Sequence, residues 1–383
     1  MNIGFDAKRV YQNTTGLGHY SRTLVTSLAK YFAENEYYLF APKITDTFNA
    51  DDFKNIHPIA PTTFPSAFLK AAWRSNWVKK DLLKNKIDVY HGLSHEIPFG
   101  INKTKIKSIV TIHDLIFERY PNQYSKIDVK IYRQKIKYAC ANANKIIAIS
   151  EQTKKDIIDF YKIEENKIKV CYQSCNDIFK QRISEVEKQR IKKIYNLPDK
   201  FFLTVGSIIE RKNLLTIVQA LHHLKKEINI PLVVIGNGGD YKIIVKDYIT
   251  KNSLQNDIIF LSEKEGIKDL DSFKNSTDFP AIYQQAVAMI YPSTFEGFGI
   301  PVLEALCSEL PVITSNISCL PEAGGDAAFL VNPNSVIELI VAMQKVYFDE
   351  KFATLMKAKG LIHAENFSQE TTAKAVMNVY KNL

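Results

Sequence analysis

The sequence predicts an α/β protein built from two doubly wound, Rossmann-like domains. Short apolar or β-branched runs alternate with longer amphipathic ones, the alternation occurs twice, and glycine clusters follow several of the apolar runs. At 383 residues the chain exceeds what one hydrophobic core ordinarily serves, so two domains of usual size are expected.

The first series of candidate strands is Asn2–Phe5, Tyr37–Phe40, Asp88–His91, Ser108–Ile112, Lys145–Ile149 and Ile168–Tyr172. The second is Phe201–Val205, Leu232–Ile235, Ile258–Leu261, Ala288–Tyr291 and Val312–Thr314. Strands this uniformly apolar need cover on both faces, which a parallel sheet obtains from flanking helices. Helical periodicity lies between them at Tyr20–Phe32, Lys126–Ala143, Leu214–Glu227 and Asp240–Lys251. A charged break at Lys180–Lys200 carries no strand pattern and separates the series, giving domains 1–180 and 181–366. The segment 367–383 opens with Ser368 and Glu370 ahead of an apolar helix pattern; it either returns to the first domain or finishes the second. Doubly wound sheets bind ligands at the carboxyl ends of their strands. Two such domains facing each other would hold an active site in the cleft between them.

Composition narrows the class. With 46% hydrophobic and 24% charged residues, the chain reads as soluble and globular, and no apolar run reaches the ~18 residues of a membrane span. Met1–Asp6 reads as a buried first strand and not as a signal peptide, so a cytoplasmic location is expected. Five scattered cysteines (Cys140, Cys171, Cys175, Cys307 and Cys319) show no metal-ligand spacing and read as reduced thiols. A net charge of +9 favours anionic partners, yet no nucleic-acid module accompanies it and nucleic acid is excluded. In residues 68–86, FLKAAWRSNWVKKDLLKNK, Trp73 and Trp77 stand among six basic residues and one acidic residue. That stretch is either a helix lying on an anionic membrane surface or a solvated helix with one core-facing stripe.

The chemistry concentrates in STFEGFGIPVLEALCSELPVI, residues 293–313. A strand ends at Pro292-Ser293, Gly297 and Gly299 permit a tight turn, and Pro301 suits the first turn of a helix. Strand, glycine loop and helix start together make an anion site from free N–H groups. Glu296 stands before the glycines; Glu304, in the helix's first turn, can aim its carboxylate at a hydroxyl pair such as a ribose. Two further strand exits repeat the pattern. FFLTVGSIIERKN (201–213) closes its strand with Gly206 and brings Arg211 and Lys212 to a helix start, a natural clamp for a diphosphate. PLVVIGNGGDY (231–241) ends its strand with Gly236, Gly238 and Gly239. Three phosphate-friendly exits in one half predict a nucleotide site.

Glu296-Gly-Phe-Gly-Ile-Pro-Val-Leu-Glu304 resembles the E-x7-E signature of retaining glycosyltransferases of family 4, which have the GT-B fold, and the mannosyltransferase-like branch in particular. GSIIERKN, TGLGHYSRTL (15–24), VTIHDL (110–115) and LPEAGGDAAFLVNP (320–333) are similar to that family in order and spacing, so the resemblance covers nearly the whole chain. It implies transfer of a hexose from a nucleotide-sugar, with GDP-mannose as the leaning, to a hydroxyl of a glycan or lipid-linked glycan. Glu296 would hydrogen-bond the donor sugar and Glu304 the donor ribose. Backbone N–H groups near Phe298, Gly299 and Ile300 would meet sugar or diphosphate, and Arg211 and Lys212 would neutralise the leaving diphosphate without a metal or other cofactor. Gly16 and Gly18 would close over the phosphates, His113 would lie near the anomeric centre, and the last helix would cross back to the first domain. Ser207 stands where many relatives carry arginine, so Arg211 supplies that charge here.

Weaker candidates lie in the first half. His91 and His95 leave a strand at i and i+4, read as acceptor pocket or structure before metal; Glu118, Arg119 and Tyr120 are acceptor contacts or loop structure. Ser150 and Glu151 follow another strand. Two other functions use the same architecture. An epimerase or phosphorylase is one, the latter betrayed by the yellow of a pyridoxal cofactor; a non-catalytic sugar-nucleotide-binding protein is the other.

Overall fold

Strands that are apolar at nearly every position leave no face for water, and among the described residues every pair of strands is parallel. The computed structural model describes residues 1–62 and 65–383. Among the described residues the chain divides into two units, Met1–Ser174 with Ser368–Leu383, and Cys175–Phe367.

Unit 1 holds a seven-stranded sheet: β1 (Asn2–Asp6), β2 (Glu36–Phe40), β3 (Ile56–Ile59), β4 (Val89–Gly92), β5 (Lys107–Ile112), β6 (Lys145–Ala148) and β7 (Ile168–Val170). Their spatial order is β3-β2-β1-β4-β5-β6-β7, so the winding reverses between β1 and β4. Two apolar clusters cover the sheet. One is built on Phe5, Leu24, Val25 and Tyr37, the other on Trp73, Leu82, Val110 and Ile146. The helix Gln369–Lys381 joins the first cluster through Ala373, Val376, Met377 and Tyr380, and the Tyr380 hydroxyl bonds buried His91 at 2.6 Å.

Unit 2 holds β8 (Phe202–Val205), β9 (Leu232–Ile235), β10 (Ile258–Phe260), β11 (Ala288–Tyr291), β12 (Val312–Ser315) and β13 (Phe329–Val331). The order is β10-β9-β8-β11-β12-β13, with the reversal between β8 and β11.

Several expectations need correction. The join falls at Ser174 and Cys175, not after residue 180, and the charged break is a helix of unit 2, Glu185–Tyr195, whose N-cap Ser184 accepts from the Glu187 N–H. Two strands were not foreseen. β3 carries Pro58, tolerable because β3 is an edge strand, and β13 is three residues long. The tryptophans of residues 68–86 face inward. Trp73 is buried and donates its ring N–H to Asp81 at 2.6 Å, and Trp77 packs against the second apolar cluster. Of the two readings of that stretch, the helix with a core-facing stripe is the one found. All five cysteines are free and buried. Among the described residues, no helix is long and apolar enough to cross a membrane.

Candidate active site

The site in unit 2 grows from the reversal of its sheet, where the carboxyl ends of β8 and β11 diverge. Gly206 closes β8 at φ +136° and Gly236 closes β9 at φ +149°, a region that side chains rarely adopt. A Cβ on Gly236 would meet the Gly206 carbonyl oxygen at 1.9 Å, so these two exits approach each other only as glycines. The chain beyond β8 forms a short turn, Glu210–Lys212, and then Asn213 in the left-handed region starts the helix Leu214–Leu224.

This turn is tied to the loop after β11 by backbone. The Thr294 N–H and the Ser293 hydroxyl both donate to the Arg211 carbonyl, at 2.8 and 2.9 Å. The Asn213 amide donates to Pro292 and Pro333 carbonyls. Arg211 and Lys212 are thereby held against Glu296. One carboxylate oxygen of Glu296 takes the Lys212 ammonium at 2.7 Å, and the other takes Arg211 at 2.9 Å. Ser293 donates to the same carboxylate at 2.7 Å and Tyr291 at 3.0 Å, and Lys212 also bonds the Tyr291 hydroxyl. Glu296 is only 8% exposed. Burial alone would raise its pKa, but Lys212 and Arg211 overcome it and hold the carboxyl at about 2.

Gly299, at φ +112°, turns the chain into the helix Ile300–Cys307, with Pro301 at its second position. Among the described residues the N–H groups of Gly299 and Ile300 make no hydrogen bond, so they stand open at the positive end of the helix. Phe298 is buried and its carbonyl accepts from Cys319. Glu304 is the fifth residue of this helix, just beyond the first turn expected for it. Its carboxylate accepts from the Tyr283 hydroxyl at 2.9 Å. Burial pushes its pKa up to about 7, against the opposing effects of Tyr283 and the more distant Lys212.

The first-half candidates lie in unit 1. Gly16 and Gly18 are not a loop: the helix Gly16–Tyr31 starts at Gly16. A Cβ on Gly18 would strike the Asn13 carbonyl at 1.8 Å, while one on Gly16 would meet nothing within 4 Å. Packing therefore explains Gly18, and only Gly16 leaves open space. His113 is buried with both nitrogens engaged, Nε2 donating to Leu93 O at 2.9 Å and Nδ1 facing the Gln173 amide at 3.0 Å. Burial and neighbouring His95 depress its pKa to about 3, so the ring is neutral. His91 is likewise bound on both sides, by Tyr380 and Thr111. Glu118 pairs with Arg133, Arg119 with Asp156, and Ser150 caps the helix Glu151–Tyr161. Among the described residues no three of His, Cys, Asp and Glu are grouped to hold a metal ion.

Sequence reasoning missed Tyr291, Ser293 and Tyr283. The first two follow from position, since β11 ends at Tyr291 and its exit runs directly into Glu296. Tyr283 is twenty-one residues before Glu304 and carries no local signal.

Two family models match the chain, "Glycosyltransferase Family 4" over residues 15–176 and "Glycosyl transferases group 1" over residues 185–363. The chain belongs to the family 4 glycosyltransferases. It is 25% identical to the O-antigen chain mannosyltransferase B of Escherichia coli over the full length of both chains. To the serotype-specific mannosyltransferase WbdA of the same organism it is 27% identical over 305 residues, 76% of this chain but 36% of that protein. The Anabaena protein Alr3699/HepE, solved with UDP and glucose, matches over 100% of both chains with TM-score 0.73 at 17% identity. The fold is the GT-B fold of glycosyltransferases, and the chain is a glycosyltransferase of polysaccharide biosynthesis.

Proposed function

We propose that this glycosyltransferase moves mannose from GDP-mannose, with retention, to a hydroxyl of a glycan or lipid-linked glycan. The observation that carries the proposal is the Arg211–Glu296–Lys212 arrangement beside the open N–H groups of Gly299 and Ile300. Cleavage of a glycosyl–phosphate bond places negative charge on the departing diphosphate. Fixed cations and helix N–H groups that need no reorganisation are the environment that stabilises it. Glu296 holds both cations in place and, through its own charge, favours the positive character that develops at the sugar carbon. Glu304 supplies an acceptor for the donor ribose hydroxyls. The two cations do the work that a metal would do, so the transfer needs none, and the departing phosphate oxygen takes the proton of the acceptor hydroxyl. The mannose assignment rests on the full-length similarity to a mannosyltransferase.

Gly16, whose missing side chain faces open space, admits the approach of the donor phosphates, and buried neutral His113 shapes the sugar side without exchanging a proton. We place the enzyme in the cytoplasm against an anionic membrane. Phe68, Leu69 and Leu83, exposed among Lys70, Lys80 and Lys84, support that placement, which pelleting with anionic vesicles tests.

A thermal-shift series with GDP, UDP, ADP and their sugar conjugates, in EDTA, decides the donor. A ligand that binds only the native state raises the melting temperature by mass action. GDP and GDP-mannose are expected to do so alone. A response to UDP instead would replace the donor, and silence from all three nucleotides would remove the donor site.

A further inference from the structure

Both sheets reverse their winding beside their first strand, between β8 and β11 in unit 2 and between β1 and β4 in unit 1. Carboxyl ends diverge at such a point and leave room for a ligand. In unit 2 that place is the site already built. In unit 1 it holds Lys8 and Arg9 after β1 and His95 after β4.

The turn after β4 is tight. A Cβ on Gly92 would meet the Glu96 carbonyl oxygen at 1.9 Å, so the chain doubles back within four residues. His95 sits in this turn at φ +63°, a conformation costly for a residue with a side chain, and its N–H is pinned to the Thr111 carbonyl at 2.9 Å. The imidazole lies 5.3 Å from that of His113. Its Nδ1 is buried without a hydrogen-bond partner, whereas all four ring nitrogens of His91 and His113 are bonded. An unpaired buried N–H is the rarer and costlier defect. The proton therefore belongs on Nε2, the nitrogen that is not buried, where it can be donated to a ligand.

Charge points the same way. Arg9 is half-buried and, among the described residues, has neither a carboxylate nor a hydrogen-bond partner. Its charge is felt by His95 and His113. Among the described residues the Lys8 ammonium also makes no hydrogen bond or ion pair, and burial with neighbouring Arg74 and Arg9 holds it below its ordinary range against the pull of Glu96 and Asp6. The nearby carboxylates are already engaged. Asp6 is bound by Arg74 at 2.9 Å, and Glu96 by Arg74 at 2.9 Å and Lys135 at 3.2 Å. Among the described residues Arg9 and the His95 N–H donor are left without a partner, and Lys8 stands beside them at the ends of β1 and β4, within the field of Glu96 and Asp6.

We infer that Lys8, Arg9 and His95 form a second anion site, in unit 1, that takes the phosphate or diphosphate group of the acceptor. That its ligand is an acceptor rests on the proposed transfer; that it binds a phosphate oxyanion does not. An acceptor carrying phosphate would be held there by charge-assisted hydrogen bonds while its hydroxyl reacts.

Calorimetric titration of the full chain with inorganic pyrophosphate reads both sites at once. The native chain is expected to bind two equivalents, and Arg9→Gln and His95→Asn one each, asparagine being chosen because it tolerates the left-handed backbone. GDP affinity should stay within twofold in both variants. One equivalent in the native chain and none in the variants would keep the unit 1 site and sink the donor site. Equal stoichiometry in native chain and both variants would overturn the inference. Competition by mannose 1-phosphate or by farnesyl diphosphate then tells a sugar phosphate from a lipid diphosphate.

Discussion

Glu296 and Glu304 stand eight positions apart on either side of one glycine turn, the first buried and the second partly so, and are driven in opposite directions. Before the turn, Arg211, Lys212, Ser293 and Tyr291 converge on Glu296 and hold it ionised far below the usual carboxylate range. After the turn, the Tyr283 phenol is the partner of Glu304 among the described residues, and burial pushes its pKa up to about 7. The difference teaches that a motif written as two identical letters encodes two chemical species. One is a permanent anion that organises cations. The other is a carboxyl whose charge state depends on pH and on what binds beside it.

The comparison breaks most severely at Glu296. Replacing it with alanine removes the carboxylate that Arg211 and Lys212 share. Loss of one member of a buried ion pair costs about 3–5 kcal/mol, and chemical denaturation at pH 7 should show a loss of that order together with transfer rates down by about 10² or more. A variant of native stability would mean that the two cations do not depend on Glu296.

Glu304→Gln sharpens the contrast. The folded pKa of about 7 lies above the unfolded value of 4.5. The neutral carboxyl thus favours the folded state below pH 4.5, and this contribution is lost as pH rises through 7. The stability of the native chain relative to Glu304→Gln should fall by about 3 kcal/mol across that window and stay level above it. Glu296, with its depressed pKa, adds no slope there, because its contribution is lost only as pH falls from 4.5 through about 2. A pH-independent difference between the two chains would show that Glu304 is ionised throughout. The smallest effect is at Tyr283→Phe. Removing the one hydrogen bond that favours the ionised form, worth about 1 kcal/mol, should move the Glu304 midpoint upward by less than one pH unit, with turnover reduced only at low pH.

Much of this was legible beforehand because parallel strands and glycine exits are written locally. The uniformly apolar runs at Phe201–Val205 and Ala288–Tyr291, and the glycines that follow them, announce where a strand must end and a backbone must bend. The orientation of side chains that pair across eighty residues is written nowhere in particular. Arg211 and Lys212 were placed at a diphosphate, yet their grip on Glu296 follows from two strands that are neighbours in space and not in sequence. Trp73 decides between the two readings of its stretch in favour of the core-facing stripe, because the indole N–H has Asp81, eight residues on, to satisfy it while the ring is buried. Gly16 and Gly18 carry no local helix signal, since glycine usually ends helices, whereas here they begin one.

The helix Gln369–Lys381 has a consequence for biogenesis. Unit 1 is assembled from the first 174 residues and from Ser368–Leu383, and its interior includes Tyr380, Met377 and Val376. Chains are made from the amino end, and domains tend to fold as they emerge. Here unit 1 lacks the Tyr380 partner of buried His91 until residues 368–383 have been made, after the whole of unit 2, so the unit made second is the one able to fold to completion first.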